Sequence, residues 1–206
     1  YSDIAIGTAK LFGFELMTNF KFPYFSRDIA EFWRRWHISL STWFRDYLYI
    51  PLGGSRVSKP KAIRNVFVIF LVSGFWHGAN WTFIVWGGIH ALLFIPLLLR
   101  GTNRKNATSI VAEGKWLPSS KELLQMGWTF TAVTTAWIFF RADSMVVALK
   151  YCMHSAANIL STPHRPSLTL LAFIAVLCLA DFLQRSDAKT LFRIENQWLR
   201  WSIYSV

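Results

Sequence analysis

The sequence predicts an all-α, polytopic membrane protein, on three observations. Only 16% of the 206 residues are charged and 53% are hydrophobic, with a positive mean hydropathy; a soluble domain carries about a quarter charged residues. Eleven tryptophans suit a protein with wide interfacial belts. Apolar runs near the length that crosses a bilayer, about 20 residues, recur along the chain. The net charge of +11 does not indicate a nucleic-acid partner. The basic residues flank apolar runs, where they set topology and meet anionic headgroups. Cys152 and Cys178 are the only cysteines, so neither a disulfide framework nor a metal site is expected. With no Met at its start and no signal peptide, the chain reads as one membrane domain, residues 1–206, from a longer protein.

Residues Tyr1 to Phe20 read as a helix tail, the end of a crossing, and Asn19 to Phe25 as an aromatic interfacial loop. Asp28-Ile29-Ala30-Glu31 has the spacing of a capping box. Behind it Phe32, Trp33, Trp36, Leu40, Trp43, Phe44, Tyr47 and Leu48 recur at three- and four-residue steps, which predicts one amphipathic helix. Pro51-Leu52-Gly53-Gly54 ends it. That helix is too charged to span lipid freely, so it lies at the interface or buried against other helices.

Arg56, Lys59, Lys61 and Arg64 form a basic loop. The apolar run from Val66 to Leu99 follows, broken by Gly74, Gly78, Gly87 and Gly88, and is long enough for two short crossings meeting near His77. Arg100, Arg104, Lys105, Lys115 and Lys121 come next. The positive-inside rule places both basic loops on the cytoplasmic side. Leu123 to Phe140 is a further crossing. Arg141 to Pro166 is mixed, with His154 and His164 as ordinary surface histidines. Leu168 to Leu183 is a slightly short crossing, with Asp181 reaching the headgroups. Arg185, Lys189, Arg193 and Arg200 return the chain to the basic side.

Within lipid an ionisable side chain is a functional-site hypothesis, and His77 in Ser73-Gly74-Phe75-Trp76-His77-Gly78-Ala79-Asn80-Trp81 is the first candidate. A core histidine bonded to a carbonyl is the bland alternative. His37, on the apolar face of the amphipathic helix, reads from pattern alone as a packed histidine. Arg34, Arg35 and Arg45 suit either a phosphate-bearing ligand or solvated positions.

The stretch Glu31-Phe32-Trp33-Arg34-Arg35-Trp36-His37-Ile38-Ser39 through Leu52-Gly53-Gly54 resembles a signature of the membrane-bound O-acyltransferase family. The His77 stretch does so as well. Both are most similar to the bacterial branch that acetylates alginate and related polysaccharides, as are Tyr1-Ser2-Asp3-Ile4-Ala5-Ile6-Gly7 and Phe139-Phe140-Arg141-Ala142-Asp143-Ser144. The resemblance covers the chain up to about Lys150. It implies a many-helix core with a tunnel meeting near a histidine, in the inner membrane of a bacterium. It implies acyl transfer from acetyl-coenzyme A or another thioester to a hydroxyl, with no tightly bound cofactor. The implied partners are the lipid bilayer, periplasmic acetyltransferases and a polysaccharide acceptor. By resemblance His77 matches the catalytic histidine of a W-H-G motif and His37 the second histidine, in R-W-H. Trp76, Asn80, Arg34 and Arg35 are candidates for binding or orienting substrate.

An alcohol is a poor nucleophile at neutral pH and needs a base; a neutral imidazole can take its proton and return it to the leaving group. That role falls to His77. Asn80, three residues on, would share its face if the backbone stayed helical there. It could then orient the ring or donate to a developing oxyanion; equally, it could serve as a helix-break residue bonding the backbone. A transporter with His77 as a proton relay, or a non-catalytic scaffold, are the competing classes.

Overall fold

In the computed structural model, residues 2–158 and 167–185 are described. All regular structure among them is helical. The chain forms two compact units, Tyr1–Pro163 and His164–Val206, each taken by itself.

The first unit is organised by a helical hairpin. α4 (Lys59–His77) and α5 (Trp81–Leu99) are 19 residues each, about 28 Å at the α-helical rise. They run antiparallel, with Gly74 against Phe83 and Gly87 against Phe70. Gly78 caps α4, and Asn80 opens α5 by accepting the Thr82 N–H at 3.1 Å. His77 is thus the last helical residue before the hairpin turn. The expected pair of crossings corresponds to this hairpin. However, among the described residues only α5 and α6 (Ser120–Arg141) are long and apolar enough to cross a membrane. α4 carries Lys59, Lys61 and Arg64 in its first two turns.

Of the four glycines expected to break the apolar run, only Gly78 lies at a break. Gly74 and Gly87 sit inside helices, where the two backbones touch. A Cβ on Gly74 would run into the Phe83 carbonyl, and one on Gly87 into the Phe70 carbonyl. Small residues at such crossings let helices approach closely. Gly87→Ala is therefore expected to destabilise the protein by about 1–3 kcal/mol, the usual range for overpacking, read as a lower melting temperature in detergent.

The stretch from Asp28 to Leu48 is not one helix. It folds as α2 (Ile29–Arg35), α3 (Ile38–Phe44) and a π-helical turn (Arg45–Tyr49). The Asp28 carboxylate accepts the Glu31 N–H at 2.7 Å, as the capping spacing predicts. The break comes at Trp36-His37, where His37 adopts a left-handed φ of 46°. A distant residue makes it. The Asn19 carbonyl accepts the Ile38 N–H at 2.9 Å, and its side-chain oxygen accepts the Ser39 N–H at 2.9 Å and hydroxyl at 2.6 Å. The Lys21 N–H also bonds the Arg35 carbonyl at 2.9 Å. These partners replace the i→i−4 bonds that continuous helix would make.

The broken segment enters and leaves at the same end of the unit. At its start Arg27 bonds Ser109 and pairs with Glu122. At its finish the Asn65 side chain holds the Leu52 and Gly54 carbonyls. Between them α2 is buried against the hairpin and α6: Ile29, Phe32 and Val133 form one core, flanked by Trp36 and Trp137. Val66, Phe70 and Ala91 form a second, inside the hairpin. Of the two expected settings, interface or burial against helices, α2 takes the second, while Trp43 of α3 and Tyr47 of the π-helical turn are exposed.

The remaining elements are simpler. α1 (Ser2–Leu11) is shorter than the predicted tail and stops where Gly13 turns left-handed at φ 80°. α6 starts with a full capping box between Ser119 and Glu122. The mixed segment after Arg141 contains α7 (Met145–Asn158), with His154 exposed on it. His164 and the basic residues from Lys189 onward lie outside the described residues. In the second unit α8 (Leu168–Gln184) is an apolar helix over the run expected to be a short crossing. Both cysteines are free. Large apolar side chains such as Leu124, Trp128 and Phe173 are exposed, as suits surfaces meeting hydrocarbon.

Candidate active site

His77 ends α4 within a ring of aromatic side chains. Its imidazole lies 4.9 Å from Phe140, 5.0 Å from Trp76 and 5.3 Å from Trp86, centroid to centroid. It is half-buried, and Trp76 beside it is 58% exposed. The imidazole is thus walled by rings on several sides yet still reachable.

His37 sits at the break between α2 and α3, its ring 6.0 Å from that of Phe20, centroid to centroid. Its left-handed backbone is unusual for a residue with a Cβ, and such strain persists only where the surroundings hold it. Here Asn19 holds it. The His37 Nδ1 is buried without a hydrogen-bond partner. The neighbouring Trp36 lies on Trp137 of α6 at 5.1 Å. Asn19→Ala would orphan the Ser39 N–H and hydroxyl, at about 1–3 kcal/mol for groups left unsatisfied. It would also release His37. The expected result is lower activity in the full-length protein with both histidines intact, measured beside its melting temperature.

The other sequence candidates divide. Asn80 does not share a helical face with His77, because the helix ends between them. Its carboxamide oxygen caps α5, and its Nδ2 donates to the Asp143 carbonyl at 3.1 Å. Of its two expected roles, this geometry is that of the helix-break residue. Arg35 is committed to structure. It donates to Glu31 at 2.9 and 3.1 Å and to the Ser109 and Lys21 carbonyls at 3.3 and 3.2 Å. Arg34 gives one bond to the Asn103 carbonyl at 2.9 Å. Its Nε and Nη2 are buried without partners, so it retains donors for an anionic group. Arg45 pairs with Asp46 in the open, at 2.7 Å.

His90, a second ionisable side chain in the apolar run of His77, is a residue that the sequence pattern alone does not mark as functional. It is fully buried in α5, one turn after Trp86, and accepts the Trp33 indole N–H at 3.3 Å. The signal that marks His77, an imidazole between apolar residues, was present here too. Among the described residues no three His, Cys, Asp or Glu gather as a metal site.

A half-buried imidazole that stays reachable, as His77 does, has the chemistry to take up and return a proton. The profile of the membrane-bound O-acyltransferase family matches residues 1–108. The chain is 46% identical over 148 residues to a Pseudomonas syringae pv. tomato protein named probable alginate O-acetylase AlgI, covering 72% of this chain and 26% of that one. It is 42% identical over 151 residues to a Helicobacter pylori peptidoglycan O-acetyltransferase, covering 73% and 27%. It is 36% identical over 151 residues to a Streptococcus thermophilus teichoic acid D-alanyltransferase, covering 68% and 36%. The chain therefore spans about a quarter to a third of the length of these relatives.

Proposed function

The chain belongs to the membrane-bound O-acyltransferase family, and from that premise we propose that it carries the catalytic centre of a bacterial inner-membrane enzyme that acetylates a polysaccharide. The observation that supports this reading is the half-buried His77 imidazole at the end of α4, set among Trp76, Trp86 and Phe140 and reachable beside the exposed Trp76. Three relatives are named for three different acceptors, namely alginate, peptidoglycan and teichoic acid. All are polymers outside the cytoplasm, which favours a polymer hydroxyl as acceptor here, with an alginate-like chain first. The enzyme would be a multi-pass protein working beside periplasmic acetyltransferases.

In the proposed reaction the donor is an acyl thioester such as acetyl-coenzyme A. His77 takes the proton of the attacking hydroxyl. A new C–O bond forms at the acyl carbon, the C–S bond breaks, and the proton passes to the departing thiolate. His37 orients donor or acceptor across the site, and Trp76 lines the open side. Arg34 supplies its unpartnered Nε and Nη2 to a phosphate of the donor. A proton-relay transporter or a docking scaffold would not consume thioester. The test is acetyl-thioester consumption by the purified full-length protein, with and without an alginate oligomer. Turnover linked to ester formation supports the reading, and donor left intact under both conditions rejects it.

A further inference from the structure

We propose that His90 is a positioning residue for His77, held by Trp33 and acting through Trp86. The inference rests on the assignment of His77 as the base. His90 and Trp86 are both buried, at 0% and 3% exposure. The indole nitrogen of Trp33 can only donate, so the His90 Nδ1 that it meets at 3.3 Å must carry a lone pair. The ring proton therefore sits on Nε2, and one tautomer is set.

From there the rings continue in sequence. Trp33 and His90 lie 4.9 Å apart at 83°, His90 and Trp86 5.0 Å apart at 76°, and Trp86 and His77 5.3 Å apart at 88°. Each pair is in the edge-to-face range that fixes ring orientation as well as separation. Phe140 closes the far side, 4.9 Å from His77 and 5.2 Å from Trp86. Trp33 lies on α2, one turn before His37. The chain of rings thus ties the segment bearing one candidate histidine to the wall against which the other rests. An apolar ring at position 90 would fill the space, but it would not accept the Trp33 proton, and Trp33 could then turn.

The test uses the full-length protein with His90→Phe, His90→Asn, Trp33→Phe and the double variant His90→Phe/Trp33→Phe. Diethyl pyrocarbonate modification of His77, followed by peptide mass spectrometry, reads the exposure and orientation of that ring whether or not the protein turns over. His90→Phe and Trp33→Phe are each expected to change the His77 modification rate about threefold or more and to lower kcat about tenfold with KM little altered, because small misplacements of reacting groups cost rate. The double variant should be no worse than either single one. Asn, whose carboxamide oxygen can accept near the Nδ1 position, should restore much of both signals. Unchanged His77 reactivity, or a drop in melting temperature alone with kcat per folded molecule intact, overturns the proposal. A wild-type protein that consumes no thioester defeats the functional reading instead, and His77 reactivity still decides this one.

Discussion

Replacing His77 with alanine in the full-length protein is expected to lower acyl transfer by about 10²- to 10⁴-fold, the usual worth of a positioned general base. The protein should still reach the membrane and melt near the wild-type temperature. His77 makes ring contacts with Phe140, Trp76 and Trp86 but sits only half-buried at a helix end, so its removal leaves a modest gap. Ester formation measured at equal protein level is the readout. His37→Ala should also lose activity, through the orienting role proposed for that ring. Near-normal acetylation by His77→Ala would make the histidine a packing residue.

Glu31→Ala is expected to cost more stability than any other single change considered, about 3–5 kcal/mol, the range for breaking a buried ion pair by deleting one partner. Glu31 is 1% exposed. One of its oxygens takes the Arg27 backbone N–H at 2.8 Å and the Arg27 Nε at 3.0 Å. The other takes the Arg27 Nη2 at 3.1 Å and the Arg35 Nη2 at 2.9 Å. Both arginines in turn bond the Ser109 carbonyl. Deleting the carboxylate removes the charge that Arg27 and Arg35 share, leaving Arg27 with Glu122 at 3.5 Å as its one acidic partner among the described residues, and unlatches the start of α2. Loss of yield and a lower unfolding midpoint in detergent would report it. A variant as stable as the wild type would mean that water or lipid headgroups already carry the arginines.

Local chemistry made much of this fold legible. Asp28 three residues before Glu31 is a cap because its carboxylate reaches the third N–H of the helix, and nothing distant is needed. The turn near His77 was readable because Gly78 and Asn80 punctuate an apolar run. The break at His37 was not. No glycine or proline marks it, and the hydrophobic period runs straight through. Asn19, 18 residues upstream, makes the break by capturing the Ile38 and Ser39 amides, which no window of adjacent residues reports. The same loss of continuity separates Arg34 from Arg35. They are neighbours in sequence, but one is spent on Glu31 and backbone carbonyls while the other keeps two donors. Gly74 and Gly87 misled in the opposite direction. They look like helix breakers, but their use is the space where a side chain would be. His90 carried a visible signal, an imidazole in an apolar helix two residues after Gly88, but it lies outside the W-H-G motif that marks His77.

The measurement that tests the central claim most directly is a structure of the full-length protein with a non-reactive acyl-thioester analogue bound. The acyl carbonyl is expected between His77 and His37, with a ring nitrogen of His77 about 3–4 Å from the place where an attacking hydroxyl would stand. An analogue seated elsewhere, with the His77 ring sealed behind another helix and out of its reach, would contradict it.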